Sequence, residues 1–284
     1  MARSVRIPLI GALLAAIGVA LVRLLAFNVH VFHHADAVTL HDFMSLDRQS
    51  IYQLITDIAH VADPAPYGLI GVLLVGLALA RGRTRVAVAA LVILLGTAVT
   101  TDYILKPLLA APRYDAVLGG RQVPGASFPS GHATASMALA LCAILVASQR
   151  VRPYVAALGA VFAIAVSYSF LTLGWHYPSD VLGGYLVAGA WTALTVAALR
   201  FADTRWPARS GRRAAGRLLA HVHARATLTA LIALLVILAL AVAAVEPGRA
   251  FDFVRLHTVF AVGASAIALA SVVVAGVLAA ILRD

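Results

Sequence analysis

The chain has 284 residues, of which 62% are hydrophobic and 12% charged, about half the charged share of a typical soluble domain. With a mean hydropathy of +0.94, these values exclude a soluble globular protein, a disordered chain and a coiled coil, and unbroken apolar runs of about 20 residues exclude the alternating strands of a β-barrel. What is left is an all-α, polytopic transmembrane helical bundle, in which the net charge of +10 marks cytoplasmic loops rather than nucleic-acid binding.

In chain order, apolar runs predict about eight spans: Ile7–Phe27, Pro66–Ala80, Val86–Leu105, Ser130–Ser148, Tyr154–Leu173, Val181–Leu199, Thr227–Val245 and Thr258–Leu282. They divide into a six-span domain within 1–199, an Arg-rich cytoplasmic loop over 200–225, and a C-terminal transmembrane hairpin over 226–284. Arg3 and Arg6 precede the first run, which is long and has no clear cleavage site after it, so it is read as a retained anchor. The outer loop 28–65 holds Asp36, Asp42, Asp47, Asp57 and Asp63. Within it, Phe43, Leu46, Ile51, Leu54, Ile55 and Ile58 recur at helical spacing and predict one amphipathic helix around Asp42–Ala62, lying along the membrane surface. With the N-terminus in the cytoplasm, inner loops carry 15 of the 22 basic residues and outer loops six, which favours both termini inside.

His30, His33, His34 and His41 cluster in the first outer loop without metal-ligand spacing and read as solvated. Cys142 lies within an apolar run and reads as a small buried hydrophobe; a lone Cys rules out a disulfide framework. Arg23 reads as a snorkelling residue or an internal partner. Trp175 and Tyr177 read as interfacial, and Gly183, Gly184 and Gly189 as close-packing positions between helices.

Three polar islands interrupt the apolar pattern, all on the predicted outer face: Lys106 to Arg113, Pro129-Ser130-Gly131-His132, and His176 to Asp180. Ionisable groups at membrane depth are costly and mark function by default. Ser130 is placed as an N-cap, so the free N–H groups of the next turn form an anion site with the helix dipole. Lys106 and Arg113 add positive charge suited to phosphate, and Asp102, four residues before Lys106, lies on the same helical face. Asp180, four residues after His176, can hold one ring N–H and leave the other nitrogen as a nucleophile. His132 then serves as proton donor to a leaving oxygen. The set reads as metal-free phosphoryl transfer through a phosphohistidine.

At these residues the chain resembles the type 2 phosphatidic acid phosphatase superfamily, which includes membrane lipid phosphatases and vanadium haloperoxidases. The family pattern is Lys-x6-Arg-Pro, then Pro-Ser-Gly-His, then Ser-Arg-x5-His-x3-Asp. Lys106 and Arg113 match the first motif, with Tyr114 in the Pro position; residues 129–132 match the second; Ser169, His176 and Asp180 match the third, with Phe170 in the Arg position. The resemblance covers about residues 66–199 and implies a six-span core. It also implies His176 as nucleophile, Asp180 as its orienting partner, His132 as general acid, and Lys106, Arg113, Ser130 and Gly131 as phosphate ligands. Losing the Arg at 170 removes a donor worth on the order of 3 kcal/mol, for which Arg121 is the first candidate replacement, with Arg249 and Arg255 behind it.

The expected function is therefore a membrane lipid-phosphate or isoprenoid-diphosphate phosphatase that needs no metal and no other cofactor and binds no nucleic acid. The Ala- and Arg-rich, Lys-poor composition suggests a bacterial inner membrane, with the site facing the periplasm or exterior. Two other functions fit the same residues: a phosphotransferase on the same scaffold, and a non-catalytic lipid-phosphate binder or transporter.

Overall fold

The computed structural model describes residues 3–206, 252 and 255–282. The predicted span Thr227–Val245, most of the Arg-rich loop and Arg249 lie outside the described residues. Helices form α1 (Arg3–Asn28), α2 (His30–Ser45), α3 (Tyr52–His60), α4 (Pro64–Ala80), α5 (Thr84–Val99), α6 (Lys106–Leu109), α7 (Gly131–Val146), α8 (Arg152–Thr172), α9 (Pro178–Arg205) and α10 (Thr258–Ile281). A π-helical turn, Thr100–Leu105, joins α5 to α6, and a 3-10 turn follows at Ala116–Leu118. Among the described residues there is no strand.

Against the eight spans expected, five helical stretches are long and apolar enough to cross a membrane, and the bent pair α3–α4 makes a sixth if counted as one span. The molecule is a multi-pass membrane protein. Helix α7, with 16 residues, is shorter than a full crossing and lies at the centre, against α5, α8 and α9. Most of its side chains are buried, including Cys142. Helix α1 runs along α9 and turns Ile10, Leu13, Leu14, Ile17, Leu21 and Leu24 outward, as a lipid-facing helix should.

The first outer loop departs from its expectation. Instead of one surface helix over Asp42–Ala62 there are two, α2 and α3, broken at the polar run Asp47-Arg48-Gln49-Ser50, where Asp47 and Ile51 close turns on Met44 and Arg48. Phe43, Leu46 and Ile58 pack into the main core, so α2 docks on α8, α9 and α10 rather than lying free on the membrane. Burial of those side chains outweighs the interfacial placement suggested by their spacing. Asp63 breaks the chain again at the bend of 53° between α3 and α4.

At the end of the bundle away from the three motifs, Arg side chains close helix C-termini. Arg83 donates to the Val146 and Leu145 carbonyls, and Arg152 to those of Ile144, Ala147 and Leu282. Cations there complement both the unpaired carbonyls and the negative end of the dipole. The basic residues that the sequence reading assigns to cytoplasmic loops thus also pin helices.

Candidate active site

The three polar islands converge at one end of the bundle because each sits at a helix terminus. Ser130 caps α7, its Oγ accepting from the Ala133 N–H at 3.3 Å. Its own N–H donates to the Asp180 carbonyl at 3.0 Å, which ties the start of α7 to the first turn of α9. That approach depends on small residues: a Cβ on Gly184 would sit 2.8 Å from the Ser130 oxygen, and one on Gly183 would sit 2.7 Å from the Phe128 ring. Gly189 meets only ordinary van der Waals contact. By position, the N–H groups of Gly131 and His132 precede the first available intrahelical acceptor and stay free for an anion.

The π-turn delivers Lys106 to this anion site. Such turns widen the helix by one residue and often mark functional sites. Lys106 Nζ lies 2.7 Å from Asp102 Oδ1, and an added Cβ on Gly131 would sit only 3.0 Å from that ammonium. Trp191 anchors the turn through Nε1 to the Thr100 hydroxyl at 3.0 Å.

His176 lies in the loop before α9, with Nδ1 3.4 Å from Asp180 Oδ2, an ion-pair distance without the alignment of a hydrogen bond. Asp180 is fully buried. Its Oδ2 accepts the Tyr177 N–H at 3.0 Å and its Oδ1 accepts from Arg113 Nη2, so it acts as first-turn acceptor and as neighbour of both Arg113 and His176. The His132 and His176 rings stand with centroids 6.4 Å apart. Phe170, with no exposed surface, closes the third corner at 5.9 Å from His132 and 5.3 Å from His176.

Arg113 is buried and its donors are engaged. Nη1 reaches Asp36 Oδ2 at 3.0 Å and the Ser179 hydroxyl at 2.9 Å, while Nη2 reaches Asp180 and the Ser127 hydroxyl. The guanidinium lies between the rings of Phe27 and Tyr177, 4.2 and 3.8 Å from their centroids. Arg23 covers Phe27 at 3.3 Å and donates to the Leu109 carbonyl, the internal-partner reading of that residue. Tyr177, read from sequence as interfacial, is instead buried beneath Arg113, because a guanidinium stacks on an aromatic face more favourably than either is exposed. Trp175, half-buried, stacks on His60 and meets His132. Tyr114 is exposed, so the missing Pro leaves a side chain pointing away from the site.

Two carboxylates from the first outer loop complete the arrangement, and sequence reading passed over both. Asp36 accepts the Ser179 N–H at 2.8 Å and the Ser179 hydroxyl at 2.5 Å, besides Arg113. Burial pushes its carboxyl up to about 6, although Arg113 and Ser179 pull the other way. Asp63 Oδ1 lies 3.0 Å from His132 Nε2. The only signal in the sequence was the concentration of acidic residues in a loop facing the motifs.

Other candidates stay apart. Arg121 and Arg255 are exposed, and among the described residues no side-chain hydrogen bond or ion pair joins either to the site. In the His cluster, His30 stacks on His34, His34 pairs with Asp115 at 2.9 Å, His33 bonds the Ala26 and Tyr114 carbonyls, and His41 meets Asp42. Burial pushes the Asp115 carboxyl up, but the Val117 N–H and His34 outweigh it and hold the group below its ordinary value. Among the described residues no three His, Cys, Asp or Glu side chains group as metal ligands.

Residues 85–204 match the model of the PAP2 superfamily. The structure is similar to the crystal structure of a transmembrane PAP2-type phosphatidylglycerolphosphate phosphatase from Bacillus subtilis, with a TM-score of 0.55 and 18% identity, over 71% of this chain and 99% of that one. No curated protein sequence matches the chain. All three motifs fall within the stretch that matches the PAP2 superfamily model, on one end of a membrane helix bundle.

Proposed function

We propose that the chain is a membrane phosphatase for a lipid phosphate or isoprenoid diphosphate, working at the extracytoplasmic face of a bacterial inner membrane. The supporting observation is the pair His176 and His132, with ring centroids 6.4 Å apart beside the α7 N-terminus. Asp180 faces Nδ1 of His176, which leaves Nε2 to attack phosphorus. As the P–N bond forms, the P–O bond to the lipid breaks, and protonated His132 gives its proton to the leaving oxygen. Water then attacks the phosphohistidine while neutral His132 takes its proton, and cleavage of the P–N bond frees phosphate and His176. Lys106 and the N–H groups of Gly131 and His132 hold the phosphoryl oxygens, with Ser130 fixing that turn.

Arg113 serves this reaction from behind: four acceptors hold it, so its charge acts through Asp180 and the field at His176. Lys106 then carries the main cationic contact with phosphate, because Phe170 supplies none. That apolar substitution also favours the second reading, a lipid-phosphate binder without turnover. Phosphate release by the purified protein from phosphatidic acid and from farnesyl diphosphate, beside a His176→Asn control, decides between them. Release by the wild type alone supports the phosphatase; equal lipid binding by both with no release supports the binder.

A further inference from the structure

We infer that Asp63 is a positioning residue for His132, so that the site is built from two His–Asp pairs, the second contributed by the α3–α4 bend. The inference rests on the reading of His132 as general acid and adds the group that controls its proton.

Asp63 precedes Pro64 at the N-cap of α4, with extended backbone. An Asp at this position ordinarily turns its carboxylate onto the next turn's N–H groups. Here the side chain makes no cap hydrogen bond; it lies 3.0 Å from His132 Nε2 instead. The bend of 53° between α3 and α4 brings it there, and the same bend stacks His60 on Trp175, whose ring also meets His132. Two side chains, His60 and Asp63, thus dock the bend onto the wall formed by Trp175 and His132. Residue 63 lies outside the stretch matched by the family model, which begins at 85, so the pairing is not a property of the three motifs.

The chemistry follows from the two ring nitrogens. With Nε2–H donating to Asp63, the imidazolium is stabilised and Nδ1–H is the proton available to the leaving oxygen. On the return step the same carboxylate favours His132 as proton acceptor. The other ionisable groups facing His132 are His176, Lys106 and, across Trp175, His60. These are cationic or neutral, so Asp63 is the one carboxylate among them that favours a charged ring. Because the Asp63 side chain is 39% exposed, its effect is on protonation more than on folding.

The test uses the full-length protein in detergent and two probes. Phosphatidic acid has a poor leaving group that needs an acid; p-nitrophenyl phosphate has a good one that does not. D63N and D63S are expected to lower kcat on phosphatidic acid about 10-fold, with KM nearly unchanged. The alkaline limb of the pH profile is expected to move about one unit toward lower pH, since loss of a carboxylate lowers the imidazole pKa. On p-nitrophenyl phosphate, whose leaving group needs no acid, the loss is expected to be smaller than on phosphatidic acid and to report the water step alone, and D63E should recover most of the activity on both. D63S keeps a capping oxygen, so it carries the contrast with D63E even if D63N does not fold. Wild-type kcat and pH profile in D63N beside an inactive H132Q would overturn the pairing alone, as would equal losses on both probes with no recovery in D63E. Full activity in H132Q would overturn the general-acid reading and the pairing together.

Discussion

Phe170 stands edge-on to His176, ring centroids 5.3 Å apart and planes at 75°, in the slot where the family pattern has Arg. Its ring also meets His132 at 5.9 Å. An apolar side chain thus orients both imidazoles, and the site's positive charge comes from Lys106 and Arg113. Phe170→Ala is expected to cost about 3 to 5 kcal/mol of stability through the cavity it leaves, and to lower phosphate release as both rings loosen. Phe170→Arg is expected to lower stability rather than raise activity, because Asp180 is already committed to Arg113. Thermal melts in detergent beside phosphate-release assays check both.

Gly131 lies against the phosphate-side cation. A methyl group there would sit 3.0 Å from Lys106 Nζ and 3.2 Å from Asp102 Oδ1. The flexible Lys106 side chain can yield, so Gly131→Ala is expected to fold normally and to lose about 10-fold in kcat/KM as the ammonium moves off the anion site. Steady-state kinetics with a melting control measure it.

Gly184 and Gly189 face different neighbours on α9 and separate packing from position in sequence. At Gly184 an added methyl meets the Ser130 carbonyl at 2.8 Å and the Thr134 N–H nitrogen at 2.9 Å, neither of which can yield. Gly184→Ala is expected to destabilise by about 1 to 3 kcal/mol and to abolish activity by parting the two motif-bearing helices. At Gly189 the nearest atom is 3.6 Å away, and Gly189→Ala is expected to be nearly silent.

Asp36 makes stability depend on pH in an unusual direction. Burial pushes its carboxyl up to about 6 from 3.8, so the folded protein holds this proton more tightly than the unfolded chain. Stability from this group is therefore fully present below about pH 4 and declines as pH rises toward 6, by roughly 3 kcal/mol at most. Asp36→Asn is expected to remove that decline. It is also expected to reduce activity, because Arg113 loses one of its two carboxylates. Melting temperatures of both proteins between pH 4 and 7 check the slope.

The bundle and most of the site were legible in the sequence for a physical reason. Charge is scarce in membrane helices, so Lys106, Arg113, His132, His176 and Asp180 stood out, and the i, i+4 spacing of Asp102 and Lys106 foretold their 2.7 Å contact. The positions of Asp36 and Asp63 were not legible. Their partners lie 143 and 69 residues away, and the contacts exist only because α2 docks on the bundle and the α3–α4 bend turns inward. The spacing of Phe43, Leu46 and Ile58 correctly marked an apolar face, but periodicity alone does not say whether such a face meets lipid or protein. Tyr177 illustrates the same gap: its stacking on Arg113 depends on a residue 64 positions away.

The central claim is that His176 carries the phosphoryl group, and rapid-quench labelling tests it most directly. Wild-type protein mixed with phosphate-labelled phosphatidic acid or farnesyl diphosphate is expected to form an acid-labile, alkali-stable phosphoenzyme that maps to His176, disappears as phosphate is released, and is absent in His176→Asn. Phosphate release by His176→Asn at the wild-type rate, or a label that maps elsewhere, would contradict the account.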